Sequence, residues 1–163
     1  MQPLTAPEIR ACFANCSQGE ARRASLPDLD QVPWESLDYL GWTDPAGSPR
    51  AYLVVPRDDG PVGLMARQTA SDRRTARRST MCQVCLTPHS GSGVTLTVAR
   101  KAGAAGKRGD STGLYLCRDL ACSLYVRGVR SSGVPRLRET LPVEQLVARL
   151  RTNLDVFVTR VLG

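Results

Sequence analysis

The chain has 163 residues and a formal net charge of +7; aromatic residues make up 5% of it, and no apolar run is long enough to span a bilayer. That length supports a real hydrophobic core, built mostly of Leu, Val and Ala, and suggests one domain over residues 1–163. The charge is uneven: residues 1–66 carry five Lys/Arg against nine Asp/Glu (−4), residues 67–163 seventeen against six (+11), which points to an acidic partner surface or a phosphate backbone.

Residues 1–50 read as an N-terminal helix and connector. The opening Met1-Gln2-Pro3-Leu4-Thr5 lacks a basic region followed by an apolar one, so no secretion signal is visible and a cytoplasmic protein is expected. Thr5-Ala6-Pro7-Glu8 is a capping box with proline in an allowed first-turn position, predicting a helix from Ala6 to about Ser17. Ile9, Cys12, Phe13 and Cys16 fall on one face of it. Cys12 and Cys16 have the spacing of metal ligands, but no partner ligands lie nearby and core packing is the preferred reading. Gly19 is a plausible stop, with Glu20–Arg23 as an extension. Pro27 to Trp42 reads as a packed connector that lays Trp34, Leu37, Tyr39, Leu40 and Trp42 along the edge of the core, and Asp44–Pro49 is a turn.

Residues 51–78 read as a hairpin and a basic linker. Ala51–Val55 and Val62–Ala66 are strand candidates joined by the loop 57–61. Arg73-Arg74-Thr75-Ala76-Arg77-Arg78 is the densest basic run, either a solvated face or, with Arg77 and Arg78 leading into the next segment, a grip for an acidic partner.

Residues 79–129 carry the chemistry. Cys82-Gln83-Val84-Cys85 is followed, after thirty-one residues, by Cys117-Arg118-Asp119-Leu120-Ala121-Cys122. Two cysteine pairs so separated read as a four-thiolate zinc site, because Zn²⁺ takes four sulfurs in a tetrahedron at about 2.3 Å. Residues five apart on a continuous α-helix point about 140° away from each other, so Cys117 and Cys122 cannot share one helix and one metal. A strand ending at Cys117, Asp119 as N-cap and a short helix from Leu120 would bring both sulfurs to one point. A knuckle, a hairpin and a helix N-terminus that all supply ligands make a treble-clef zinc finger. A thioredoxin-like Cys-x-x-Cys needs a βαβ context absent here, and disulfides need an oxidising compartment. The fold class is therefore α+β: antiparallel hairpins around a four-cysteine treble clef, packed with an N-terminal helix and a long C-terminal helix.

Between the pairs, Val94–Ala99 is an alternating strand with Leu114–Cys117 as its antiparallel partner. The connection Arg100–Asp110 is glycine-rich and basic. It is not a phosphate loop, since that pattern needs glycine where Lys101 stands and Ser or Thr where Arg108 stands. It reads as a mobile loop offering Arg100, Lys101, Lys107 and Arg108 to a partner. His89, the sole histidine, reads as a loop residue because four cysteines already complete the shell. Gly128 ends the short helix, and Arg127, Arg130, Arg136 and Arg138 keep the surface basic. Thr140 as cap and Pro142 in the first turn predict a final helix over 140–162, its apolar face running from Val143 through Leu146, Val147, Leu150, Leu154, Phe157 and Val158 to Val161.

Met81-Cys82-Gln83-Val84-Cys85, Ala99-Arg100-Lys101-Ala102-Gly103 and Tyr115–Ser123 resemble the treble-clef domain of the elongation factor G-binding proteins, a family that includes the fusidic acid resistance proteins. The likeness is strongest from about Ser79 to Gly128, and the chain looks like a short, stand-alone version of that domain. The resemblance implies one structural zinc on Cys82, Cys85, Cys117 and Cys122, no enzymatic activity, and binding of elongation factor G that releases the factor from stalled ribosomes. A monomer is expected. The charge equally suits a second reading, a zinc finger that binds ribosomal RNA or the ribosome directly, although only Tyr115 and Tyr125 lie near enough to stack on bases. A catalytic zinc is the third, disfavoured because such sites keep one position open for water.

Overall fold

The computed structural model describes residues 1–69, 80–134 and 140–163; the basic run with Arg77 and Arg78, and Arg136 and Arg138, lie outside the described residues. In chain order the elements are α1 (Ala6–Ala11), α2 (Gln18–Arg22), β1 (Leu40–Thr43), β2 (Arg50–Val55), β3 (Val62–Gln68), β4 (Thr80–Met81), β5 (Pro88–His89), β6 (Val94–Arg100), α3 (Gly103–Lys107), β7 (Ser111–Cys117), α4 (Cys122–Val126) and α5 (Val143–Leu162). Five strands form one sheet in the order β1-β2-β3-β6-β7, every pair antiparallel, and β4 and β5 form a separate ladder. The two expected hairpins are thus one sheet, fused where Ala66, Arg67 and Gln68 oppose Ala99, Val98 and Thr97.

β2 explains how the sheet holds two cores. Its residues alternate between faces, and all but Arg50 are buried. Ala51, Leu53 and Val55 join Leu64, Leu116 and the apolar face of α5. Tyr52 and Val54 join Ile9, Ala24, Leu40 and Trp42 on the other side, with Phe13 and Leu26 packed against them. β1 was read as connector; its four residues carry no clear period, and pairing with β2 makes them a strand.

The N-terminal helix is shorter than its periodicity suggests. The Thr5–Glu8 capping box is present, but a second box, Ser17 with Glu20, starts a separate α2 that contains Gly19. The break is tertiary. Ala14 N donates to Gly63 O and Gly63 N to Cys12 O, both at 2.9 Å, while the Asn15 amide bonds Met65 N, Met65 O and Arg100 O. Pinning residues 12–15 to β3 by these bonds and the single bridge at Phe13 is incompatible with continuing the helix.

α5 begins at Val143 with Pro142 as N-cap, not at Thr140, and Val143 is exposed. The buried stripe from Leu146 to Val161 covers one sheet face. Twenty residues give a length of about 30 Å. Near its middle the Asn153 amide donates to Val84 O, and near its end Val161 O accepts from Ala102 N. No helix among the described residues is long and apolar enough to cross a membrane.

Candidate metal centre

Three local structures deliver the sulfurs. Cys82 and Cys85 sit in the knuckle between β4 and β5, where Cys82 N donates to Thr87 O and Leu86 N to Cys82 O. Leu86 turns the knuckle at φ 56°, a left-handed conformation rare for a leucine. Cys117 ends β7. Leu120, at φ 57°, turns the chain back, with its N–H on Cys117 O. α4 then starts at Cys122 itself, two residues later than expected. Asp119 therefore does not cap the helix; its Oδ1 accepts from Ala121 N in a tight turn, and its Oδ2 accepts from Tyr125 and Arg130.

All four thiols are buried, and their sulfurs lie within 4.8 Å of one another. A tetrahedron with a metal–sulfur distance of about 2.3 Å has edges of about 3.8 Å. Cys82 and Cys122 sulfurs are 3.7 Å apart, and those of Cys85 and Cys117 3.5 Å. The donor set, all thiolate, and this spacing fit one zinc ion. The same crowding makes the centre unstable without it. Hydrogen bonds from Cys117, Cys122 and Cys85 hold the Cys82 thiol far below the usual range, whereas Cys122, hydrogen-bonded to Cys117 and the others and fully buried, is pushed well above it. Four thiolates repel one another unless a dication neutralises them.

The surroundings are as ordered as the ligands. Val84 N and Cys85 N point at the Cys82 sulfur, at 3.4 and 3.5 Å. The Gln83 backbone N–H donates to Tyr115 O and its side-chain oxygen accepts from Tyr115 N, tying the knuckle to the outer edge of β7. His89 is not a loop residue: it lies in β5, 4% exposed, with Nε2 3.2 Å from the Cys117 sulfur. Burial lowers its pKa. Tyr125 packs edge-on to the His89 ring at 4.7 Å, so it is unavailable for base stacking, while Tyr115 is half exposed.

The N-terminal half reaches this centre through Asp38 and Tyr39. Tyr39 donates its hydroxyl to Leu120 O at 2.7 Å, and Asp38 N donates to Ser123 Oγ at 2.9 Å. The Asp38 carboxylate, with no exposed side chain, takes a bidentate pair from Arg127 at the end of α4 and a second pair from Arg151 of α5 at 2.9 Å. No sequence signal marked Asp38, which looks like any acidic residue of a polar connector. His89 had one, its place four residues after Cys85.

The basic residues gather elsewhere. Arg100, Lys101, Lys107 and Arg108 surround the β6–β7 connection, at the opposite end of β7 from Cys117, about 20 Å away by strand rise. That connection is not a mobile loop. Its centre is α3, closed by Lys101 N on Asp110 O and Asp110 N on Ala105 O. Gly106 makes the turn feasible, since a Cβ there would lie 1.7 Å from Lys101 O. Arg100, Lys107 and Arg108 are exposed, and Arg108 faces Asp110 at 4.0 Å. Cys12 and Cys16 join no metal cluster among the described residues; Cys12 packs against the aromatic core.

A knuckle, a strand end and a helix start converging four sulfurs on one point define a treble-clef zinc finger, and the metal it holds is a structural zinc. The chain belongs to the FBP C-terminal treble-clef zinc-finger family, whose pattern matches residues 8–161. The match thus includes the N-terminal helices and α5 as well as the knuckle. No curated protein and no solved structure matches the chain.

Proposed function

We propose that this protein is a non-catalytic binding module that recognises elongation factor G and modulates translation. The observation that carries the reading is the exposed basic cluster of Arg100, Lys107 and Arg108, held on the rigid α3 turn of a chain in this family. The turn fixes the backbone that carries these cations, and they suit an acidic protein surface, where they raise the association rate more than the affinity. Four sulfurs close the zinc shell and leave no position for a reactive water, which supports a structural rather than a catalytic role. Direct binding to ribosomal RNA is the second reading. It draws on the same charge but has less to stack on, with Tyr125 buried.

The test is a titration of nuclease-treated, zinc-loaded protein against purified elongation factor G. Saturable binding without RNA is expected, with association slowed and made less salt-sensitive by Lys107→Glu with Arg108→Glu. Binding only to RNA, lost steeply with salt, would transfer the function to the second reading.

A further inference from the structure

We infer that His89 is a positioning residue of the zinc centre: its Nε2–H donates to the Cys117 thiolate, orienting that ligand and quenching its reactivity. A zinc-bound thiolate carries no proton. Its sulfur is an acceptor only, so a ring nitrogen 3.2 Å away is repelled unless that nitrogen bears the hydrogen. The Nε2–H tautomer therefore follows from the metal. Two of the other ligands are served differently: Cys82 receives the backbone N–H groups of Val84 and Cys85, and Cys122 has the Tyr39 hydroxyl beside it. Cys117 ends a strand, and the donor facing its sulfur is the His89 ring.

The ring is held for this task. It is buried, with Tyr125 edge-on against it and Asp119 fixing the Tyr125 hydroxyl at 2.8 Å. Gly93 leaves room beside it, because a Cβ at that position would meet His89 Cβ and Nδ1 at 2.7 Å. Arg118 N, next to Cys117, donates to Gly93 O at 2.9 Å, so the strand carrying the ligand and the loop cradling the imidazole move together. A hydrogen bond to a zinc thiolate draws charge off sulfur. That strengthens the site against loss of metal and makes the sulfur a poorer nucleophile.

His89→Phe keeps a ring and removes the donor; His89→Gln restores an N–H near the Nε2 position. The zinc-loaded full chain and both variants are challenged with a chromogenic chelator and, separately, with iodoacetamide, reading alkylation at each cysteine by mass spectrometry. The phenylalanine variant should release zinc roughly 10–100-fold more readily. Cys117 should become its first alkylated sulfur, and glutamine should recover most of both effects. Equal behaviour of the two variants, or an unchanged order of alkylation, would reduce His89 to packing and overturn the proposal. Cadmium-loaded wild type gives a measurement that needs no variant. Scalar coupling from the His89 Nε2 proton to the metal is expected, and an Nδ1–H tautomer would sink the idea.

Discussion

On one face of the sheet lie α5, the knuckle and four cysteines; on the other lie two short helices and three aromatic rings. The α5 face spends twenty residues of amphipathic helix and a metal to enclose Leu53, Leu64 and Leu116. The opposite face is closed by Trp42 stacked on Tyr52 at 4.9 Å and 15°, with Phe13 set edgewise against Tyr52 at 6.0 Å. The chain has only eight Phe, Trp and Tyr residues, and three of them form this one cluster. Aromatic rings bury large areas with few residues, and this face, which lacks both a long helix and a metal, is closed by stacking them on one another, whereas Tyr39, Tyr125 and Phe157 are buried singly in the other core. Around the ligands, small residues such as Val84 and Val126 pack beside the two tyrosines Tyr39 and Tyr125.

The largest effect should come from removing the metal. Structural zinc in small fingers contributes on the order of 10–16 kcal/mol apparent. Cys117→Ser, or chelation of the native chain, should unfold residues 80–129 and free their amides to exchange, while β1 to β3 with the aromatic face retain protection. Global loss of protection in one step would show that the faces are not separable. Acidification should act as chelation does, since thiolates must be deprotonated to hold zinc.

Trp42→Ala comes next. Deleting so large a buried ring costs about 3–5 kcal/mol, read as a lower denaturation midpoint. If the contrast between faces is real, zinc affinity in this variant stays near the native value; parallel loss of zinc would erase the contrast. Leu150→Ala, on the fully buried stripe of α5, should cost about 2–4 kcal/mol and raise the rate of zinc release, because that stripe backs the cysteine face.

The smallest effect tests the tie between the halves. Burial alone would push the Asp38 carboxyl up, but hydrogen bonds and charges from Arg127 and Arg151 outweigh it and hold the group below the usual carboxylate range. A depressed folded pKa stabilises above the unfolded value of about 3.9 and is lost as pH falls through the folded one. Asp38→Asn should thus cost about 2 kcal/mol at neutral pH, with the difference from the native chain shrinking as acid protonates the carboxylate. A difference that persists in acid would mean the pair is incidental to stability.

The zinc centre was legible because ligand chemistry leaves a spacing in the sequence: two cysteine pairs admit few other uses. The strands of the alternating hairpins and the stripe of α5 were legible because each has its own period. What escaped depends on distant partners. β1 is a strand only because β2 lies beside it, and the first helix ends early only because Asn15 finds Met65 and Arg100. His89 was misplaced because ligand counting stops at four, whereas a thiolate also needs donors. The basic connection looked mobile from its glycines, yet Gly106 is there so that the backbone can close on Lys101.

The bond from Tyr39 to Leu120 spans 81 residues, and the one from Asp38 to Ser123 spans 85. Contacts that distant are entropically expensive to close and form late. During synthesis β1, β2 and β3 emerge first and can pair with their sequence neighbours. Cys117 and Cys122 leave the ribosome only after the knuckle cysteines. The nascent chain thus spends an interval with two orphan thiols and an exposed Tyr39, and the zinc face can close only once Cys122 and then α5 have emerged.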